Sequence, residues 1–137
     1  MKSSLFVLPL TVLFFSCIEF ENKFPQTWKL DGHRTYGFGG DSGFVATPDS
    51  SYSYAFNSDG TFLKTVGMET AVGSFMREER NYETHGKKYV YILTFNENKL
   101  VHSCSNLMEQ LALDNSGVLS GGSAPCDGPT NYFSLAK

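Results

Sequence analysis

The sequence predicts an all-β protein built as a single antiparallel up-and-down β-barrel of about eight strands. Three observations carry that reading. Ser51–Phe56 alternates strictly, placing Tyr52, Tyr54 and Phe56 on one face of a strand. Short apolar runs recur along the chain between turn residues, which is how sandwiches and barrels read. Aromatic residues (15%) nearly match all charged residues (18%), and 13 glycines accompany them, a composition that suits a compact β-protein more than a helical one. With neighbouring strands joined by short turns, closure into a barrel is the economical way to remove exposed edges.

The strands follow in order. Gln26–Tyr36 is the first run and holds the only tryptophan, Trp28. Gly37–Gly43 has a Gly-x-Gly-Gly spacing, but no Gly-Lys-Ser/Thr and no amphipathic helix follow, so it reads as a loop and not a phosphate cradle. Between Phe56 and Thr61, Asn57-Ser58-Asp59-Gly60 is a hairpin turn with two competing registers. A two-residue Asp-Gly loop pairs Phe56 with Leu63. A three-residue loop with Gly60 left-handed pairs Phe56 with Phe62 and Tyr52 with Val66. The second is preferred because it gathers aromatic side chains on one face.

Thr70–Arg77 reads as a strand bent at Gly73, and Glu78–Lys87 as a polar connection turning at His85-Gly86. Lys88–Phe95 is the most apolar strand, with Tyr89, Tyr91, Leu93 and Phe95 facing one way. Asn96-Glu97-Asn98 turns it and Lys99–Cys104 is expected to return as a strand. Leu107–Leu113 and Val118–Gly121 flank an Asp114–Gly117 turn. Cys126-Asp127-Gly128-Pro129 is a further turn, and Thr130–Leu135 closes the chain. No helix is expected.

The N-terminus carries a different signal. Lys2 precedes an apolar stretch, Leu5–Phe15, of about 11 residues, against the roughly 20 that a transmembrane helix needs. That is the charged and apolar pattern of a secretory signal peptide. Ser16-Cys17 then resembles the lipobox of bacterial lipoproteins. The resemblance implies cleavage before Cys17, a diacylglyceryl group on its sulfur, and a chain anchored by lipid to the envelope. Residues 1–16 are then a lipoprotein signal peptide, 17–25 a lipidated tether and 26–137 the barrel domain. Two or more acyl chains hold a protein stably at a bilayer. Ile18 stands where the inner-membrane retention aspartate would be, which favours the outer membrane, with the barrel facing the periplasm or the cell surface.

Cysteine parity agrees with this reading. If Cys17 carries lipid, Cys104 and Cys126 remain as an even pair in an oxidising compartment. A disulfide between them closes a loop of about 22 residues, worth about 3 kcal/mol in the chain-entropy model. His102 lies two residues before Cys104, but no second pair at zinc-ligand spacing accompanies it, so no metal site is expected. The chain is acidic, with a formal net charge of −3, which argues against a nucleic-acid partner.

The early Thr-Trp-Lys-Leu (27–30), the Phe-x-x-Asp-Gly-Thr-Phe hairpin (56–62) and the late Cys-Asp-Gly-Pro (126–129) together resemble the small lipocalin-like lipoproteins of Gram-negative bacteria. Gln26 stands where true lipocalins have the glycine of their first-strand Gly-x-Trp. The resemblance implies a calyx-type barrel. No cofactor is expected.

Catalysis finds no support in the motifs. His33, His85 and His102 are the three histidines, no serine sits in a G-x-S-x-G elbow, and Glu78 and Glu79 point to opposite faces of a strand. Two non-enzymatic roles compete. In one, the barrel encloses a small apolar ligand against Tyr52, Tyr54, Phe56, Tyr89, Tyr91 and Phe95, with Trp28 plugging the closed end. In the other, the barrel is filled by its own side chains and the loops contact another protein. A barrel of about eight strands is wide enough for either.

Overall fold

The computed structural model describes residues 23–82 and 86–137. The expected signal peptide, Cys17 and His85 lie outside the described residues. Eight strands form one closed antiparallel barrel: β1 (Gln26–Arg34), β4 (Val45–Phe56), β5 (Thr61–Val66), β6 (Glu69–Tyr82), β7 (Gly86–Phe95), β8 (Met108–Leu113), β9 (Leu119–Gly122) and β10 (Thr130–Leu135). Each pairs with the next in chain order, and both β4 and β10 flank β1, so the topology is an up-and-down meander closed on itself. The remaining strands, β2 (Tyr36–Gly37) and β3 (Gly40–Asp41), make a small separate ribbon inside the β1–β4 connection.

Strand direction alternates, which sorts the connections to two ends. The chain enters β1 at the near end, where the β4–β5, β6–β7 and β8–β9 turns also lie. The far end carries residues 34–45, 67–68, 96–107 and 123–129.

The β4–β5 hairpin adopts the three-residue register. Phe56 pairs with Phe62 and Tyr52 with Val66, with Gly60 at a φ of 83° and Gly60 N–H donating to Asn57 O at 3.3 Å. A left-handed residue at this position is what lets the chain reverse without splaying the strands. The result puts Tyr52, Tyr54, Phe56 and Phe62 in one buried cluster with Trp28, Tyr91, Leu93, Phe95, Leu111, Leu113, Leu119 and Phe133.

Three stretches differ from expectation. The polar segment Glu78–Lys87 is not a connection: β6 continues to Tyr82 and β7 starts at Gly86, paired residue by residue. The backbone ladder is indifferent to side-chain polarity, and outward side chains such as Glu78 and Arg80, 3.1 Å apart, remain solvated. Lys99–Cys104 is not a strand. Leu100 has a φ of 59°, and the polar groups of this stretch bond to side chains inside the barrel mouth instead of to a neighbouring strand. The Gly37–Gly43 loop is partly ordered by β2 and β3, and by Arg34, whose Nε donates to Asp41 Oδ1 at 2.6 Å. That guanidinium, with the Gly43 amide, holds the Asp41 carboxyl down at about 2. A single 3-10 turn, Ala124–Cys126, is the only helical element among the described residues.

Candidate functional site

The barrel wall is built from parity. On β5, Phe62, Lys64 and Val66 share the inward face; on β8, Glu109, Leu111 and Leu113 do. Two of those inward residues are charged. Lys64 is 0% exposed and Glu109 3% exposed, and they form an ion pair, Nζ to Oε1, at 2.7 Å. Lys64 also donates to Leu100 O at 2.6 Å, and its ammonium lies 5.0 Å from the Tyr54 ring centroid and 5.5 Å from that of Tyr52. Glu109 is saturated in turn: Tyr54 OH donates to Oε2 at 2.6 Å, and the backbone N–H of His102 donates to Oε1.

The network extends toward solvent. Tyr52 OH and His102 Nδ1 are 2.7 Å apart, and Asn131 Nδ2 reaches Tyr52 OH at 3.5 Å. Burial lowers the Lys64 ammonium from its ordinary value, with Glu109 opposing that shift. Burial, with Lys64 nearby, also lowers the half-buried His102 imidazole, which favours the neutral ring. Burial next to the Glu109 charge raises the Tyr54 and Tyr52 hydroxyls, keeping both protonated. Among the described residues no buried side-chain nitrogen or oxygen lacks a partner. A fully satisfied network of this kind is rigid, and a half-satisfied one would be worse than an apolar core.

A second polar node sits at the near end. Gln26, 3% exposed, accepts from Trp28 Nε1 at 3.2 Å and from Tyr91 OH at 2.9 Å. Arg77 stacks over Tyr89 at 4.5 Å and faces Phe24 at 5.6 Å.

The residues expected to line a ligand wall all lie on the interior side. Trp28, Tyr52, Tyr54, Phe56, Tyr91 and Phe95 are buried, and Tyr89 is half-buried against the same cluster. They are packed against each other: Phe56 lies 4.8 Å from both Phe75 and Tyr91, Phe62 is 4.9 Å from Phe95, and Tyr54 is 5.1 Å from Phe133. Depressions of about 370, 320 and 200 Å³ occur on the loops and outer faces, lined in turn by residues such as Ser103 and Met108, His102 and Asn131, and Ala71 and Lys99. The aromatic wall does not line them.

Cys104 and Cys126 are joined by a disulfide with a Cα–Cα distance of 5.9 Å. It ties the 96–107 connection to the turn before β10. His33 Nδ1 sits 3.1 Å from Thr47 Oγ1 in an exposed contact, and His33 pairs across the ladder with Asn131 of β10. Among the described residues, no group of three or more His, Cys, Asp or Glu is placed to hold a metal ion.

Sequence reasoning missed Lys64, Glu109, Gln26 and Asn131. The signal was present: a charge at an inward parity position, Lys64 between Phe62 and Val66, and Glu109 before Leu111 and Leu113. It marks a buried charge in need of a partner. What parity could not supply was the partner, because β5 and β8 meet only across the closed barrel.

Comparison of the chain with protein-family models, with curated proteins and with solved structures finds no match.

Proposed function

We propose that this chain is a lipid-anchored envelope protein, held at the outer membrane through Cys17, whose solid lipocalin-like barrel is a non-catalytic interaction module. The observation that carries the reading is where the large apolar side chains go. Inside, Tyr54, Tyr91, Phe56, Phe62, Phe133, Leu93 and Leu111 fill the space, and the Tyr54 and Tyr91 hydroxyls are spent on Glu109 and Gln26. Outside, Phe38 is fully exposed, Phe44 is 56% exposed, and Tyr36 and Val45 accompany them in one connection at the far end. Exposed apolar side chains grouped in this way mark interaction surfaces.

The position of that connection supports a protein partner over a bilayer. The tether joins β1 at the near end, and nine residues of β1 at roughly 3.3 Å each carry the chain about 30 Å to the far end. The aromatic loop thus lies at the end of the barrel opposite the one where the chain from Cys17 enters.

The competing reading, a carrier of a small apolar ligand on the aromatic wall, needs rings to leave the interior before a ligand enters. A titration with the apolar fluorophore N-phenyl-1-naphthylamine separates the two. The solid barrel gives no saturable signal and no change in Trp28 emission, and Tyr91→Ala costs about 3–5 kcal/mol of stability, as filled-core aromatics do. Saturable binding, lost in Tyr54→Ala or Tyr91→Ala with the fold intact, would restore the carrier reading.

A further inference from the structure

Residues 96–107 join β7 to β8 across the far end of the barrel. At about a dozen residues without regular structure, the connection is long for an antiparallel pair, where two to five are usual. Leu100 and Val101 pack against the barrel core, and the connection's polar attachments are discrete. Leu100 O accepts from Lys64, His102 N–H donates to Glu109, His102 Nδ1 meets Tyr52, and Asn98 Nδ2 donates to Asn106 Oδ1 at 2.7 Å. The disulfide is the one covalent attachment, and both its cysteines are exposed, whereas the charge pair under the segment is shut off from solvent. Leu100, left-handed and not a glycine, holds a conformation that the surrounding bonds must enforce.

If this segment lifts, Lys64 loses a carbonyl and Glu109 loses an amide donor. Their mutual ion pair and the rings of Tyr54 and Phe95 stay with the barrel. The segment is therefore seated in the mouth as a bound peptide would be, one carbonyl on the ammonium and one N–H on the carboxylate.

We propose that residues 96–107 are a lid latched by the Cys104–Cys126 disulfide, and that its reduction by a dithiol opens a peptide-amide binding site centred on Lys64 and Glu109. One thiolate of the dithiol attacks an exposed sulfur, forming a mixed disulfide and releasing the other cysteine as a thiolate. The second thiol then closes the reductant's own disulfide. Two electrons and two protons end on Cys104 and Cys126, and the dithiol is oxidised. The site lies at the barrel mouth and is independent of the aromatic loop proposed as the interaction surface.

The test is acylation of lysines by an N-hydroxysuccinimide ester, mapped by mass spectrometry on the purified protein. With the bridge intact Lys64 stays unlabelled while exposed lysines such as Lys29 react. After reduction with dithiothreitol, Lys64 labelling should rise at least about tenfold, as for a local opening, with far-ultraviolet dichroism and Trp28 emission unchanged. The double variant Cys104→Ser, Cys126→Ser should show the same labelling without reductant. The acetylated, amidated peptide of residues 97–103 should then protect Lys64 in the reduced protein.

Lys64 unreactive in the reduced folded protein, or equally reactive with the bridge intact, overturns the lid. So does global unfolding of both the reduced protein and the double variant, since the bridge would then hold the whole fold. Absence of protection by the peptide overturns the amide site.

Discussion

Lys64 and Glu109 set the character of the interior at the level of single residues. An ammonium and a carboxylate with almost no exposure lose their hydration, and here each regains it as protein hydrogen bonds. Lys64→Met alone or Glu109→Leu alone leaves the other charge buried and unpaired, and each should cost about 3–5 kcal/mol in guanidinium unfolding. The double variant should recover most of that loss, since paired apolar replacements are often neutral. A double variant as unstable as the sum of the singles would show that the pair is not the unit. His102 adds a pH dependence. Its imidazole is held below the ordinary value by burial and by Lys64, so the unfolded chain binds the proton more readily than the folded one. Stability should be full above about pH 6.5, the ordinary imidazole value, and decline as pH falls from there through the folded value. Denaturation midpoints from pH 7.5 to 5 should show the decline in the parent and a flatter profile in His102→Gln.

Among the elements, close approach of backbones matters as much as side-chain pattern. Gly73 on β6 faces Phe95 on β7, and a Cβ there would meet Thr94 O at 2.0 Å and the Phe62 ring at 2.7 Å. Gly73→Ala should therefore destabilise the barrel by about 1–3 kcal/mol, as overpacking does, measured by thermal or urea unfolding. A neutral result would mean that β6 shifts away from β7 without loss. The sequence marks Gly73 as a bend, and its closeness to Thr94 needed the strand pairing. The β4–β5 register, by contrast, was legible, because only one alignment of Ser51–Val66 stacks its aromatics while giving Gly60 the left-handed turn. The return strand expected at Lys99–Cys104 failed for a physical reason that the local sequence hides. Its carbonyl partner, Lys64, lies 36 residues away on β5, and its amide partner, Glu109, is a buried side chain seven residues on in β8 instead of a neighbouring strand's backbone.

For the whole molecule, the anchor proposed at Cys17 would set how the barrel is presented. Cys17→Ser should abolish lipid attachment and leave the precursor uncleaved at that site, read by intact mass and by loss from the membrane fraction. A mature N-terminus elsewhere than residue 17 would overturn the anchored reading and the orientation drawn from it. Alternation on β4 and β7, turn residues at regular intervals and cysteine parity were enough to specify an all-β barrel of about eight strands with Cys104 bonded to Cys126, because these are local signals or simple counting. Parity also assigned Tyr52, Tyr54, Phe56, Tyr91 and Phe95 to the inside. How those rings pack against one another was decided by the closed barrel. Ring packing, the Lys64–Glu109 pair and the segment seated across its mouth all depend on strands far apart in sequence, which meet only when β1 pairs with β10 and β4.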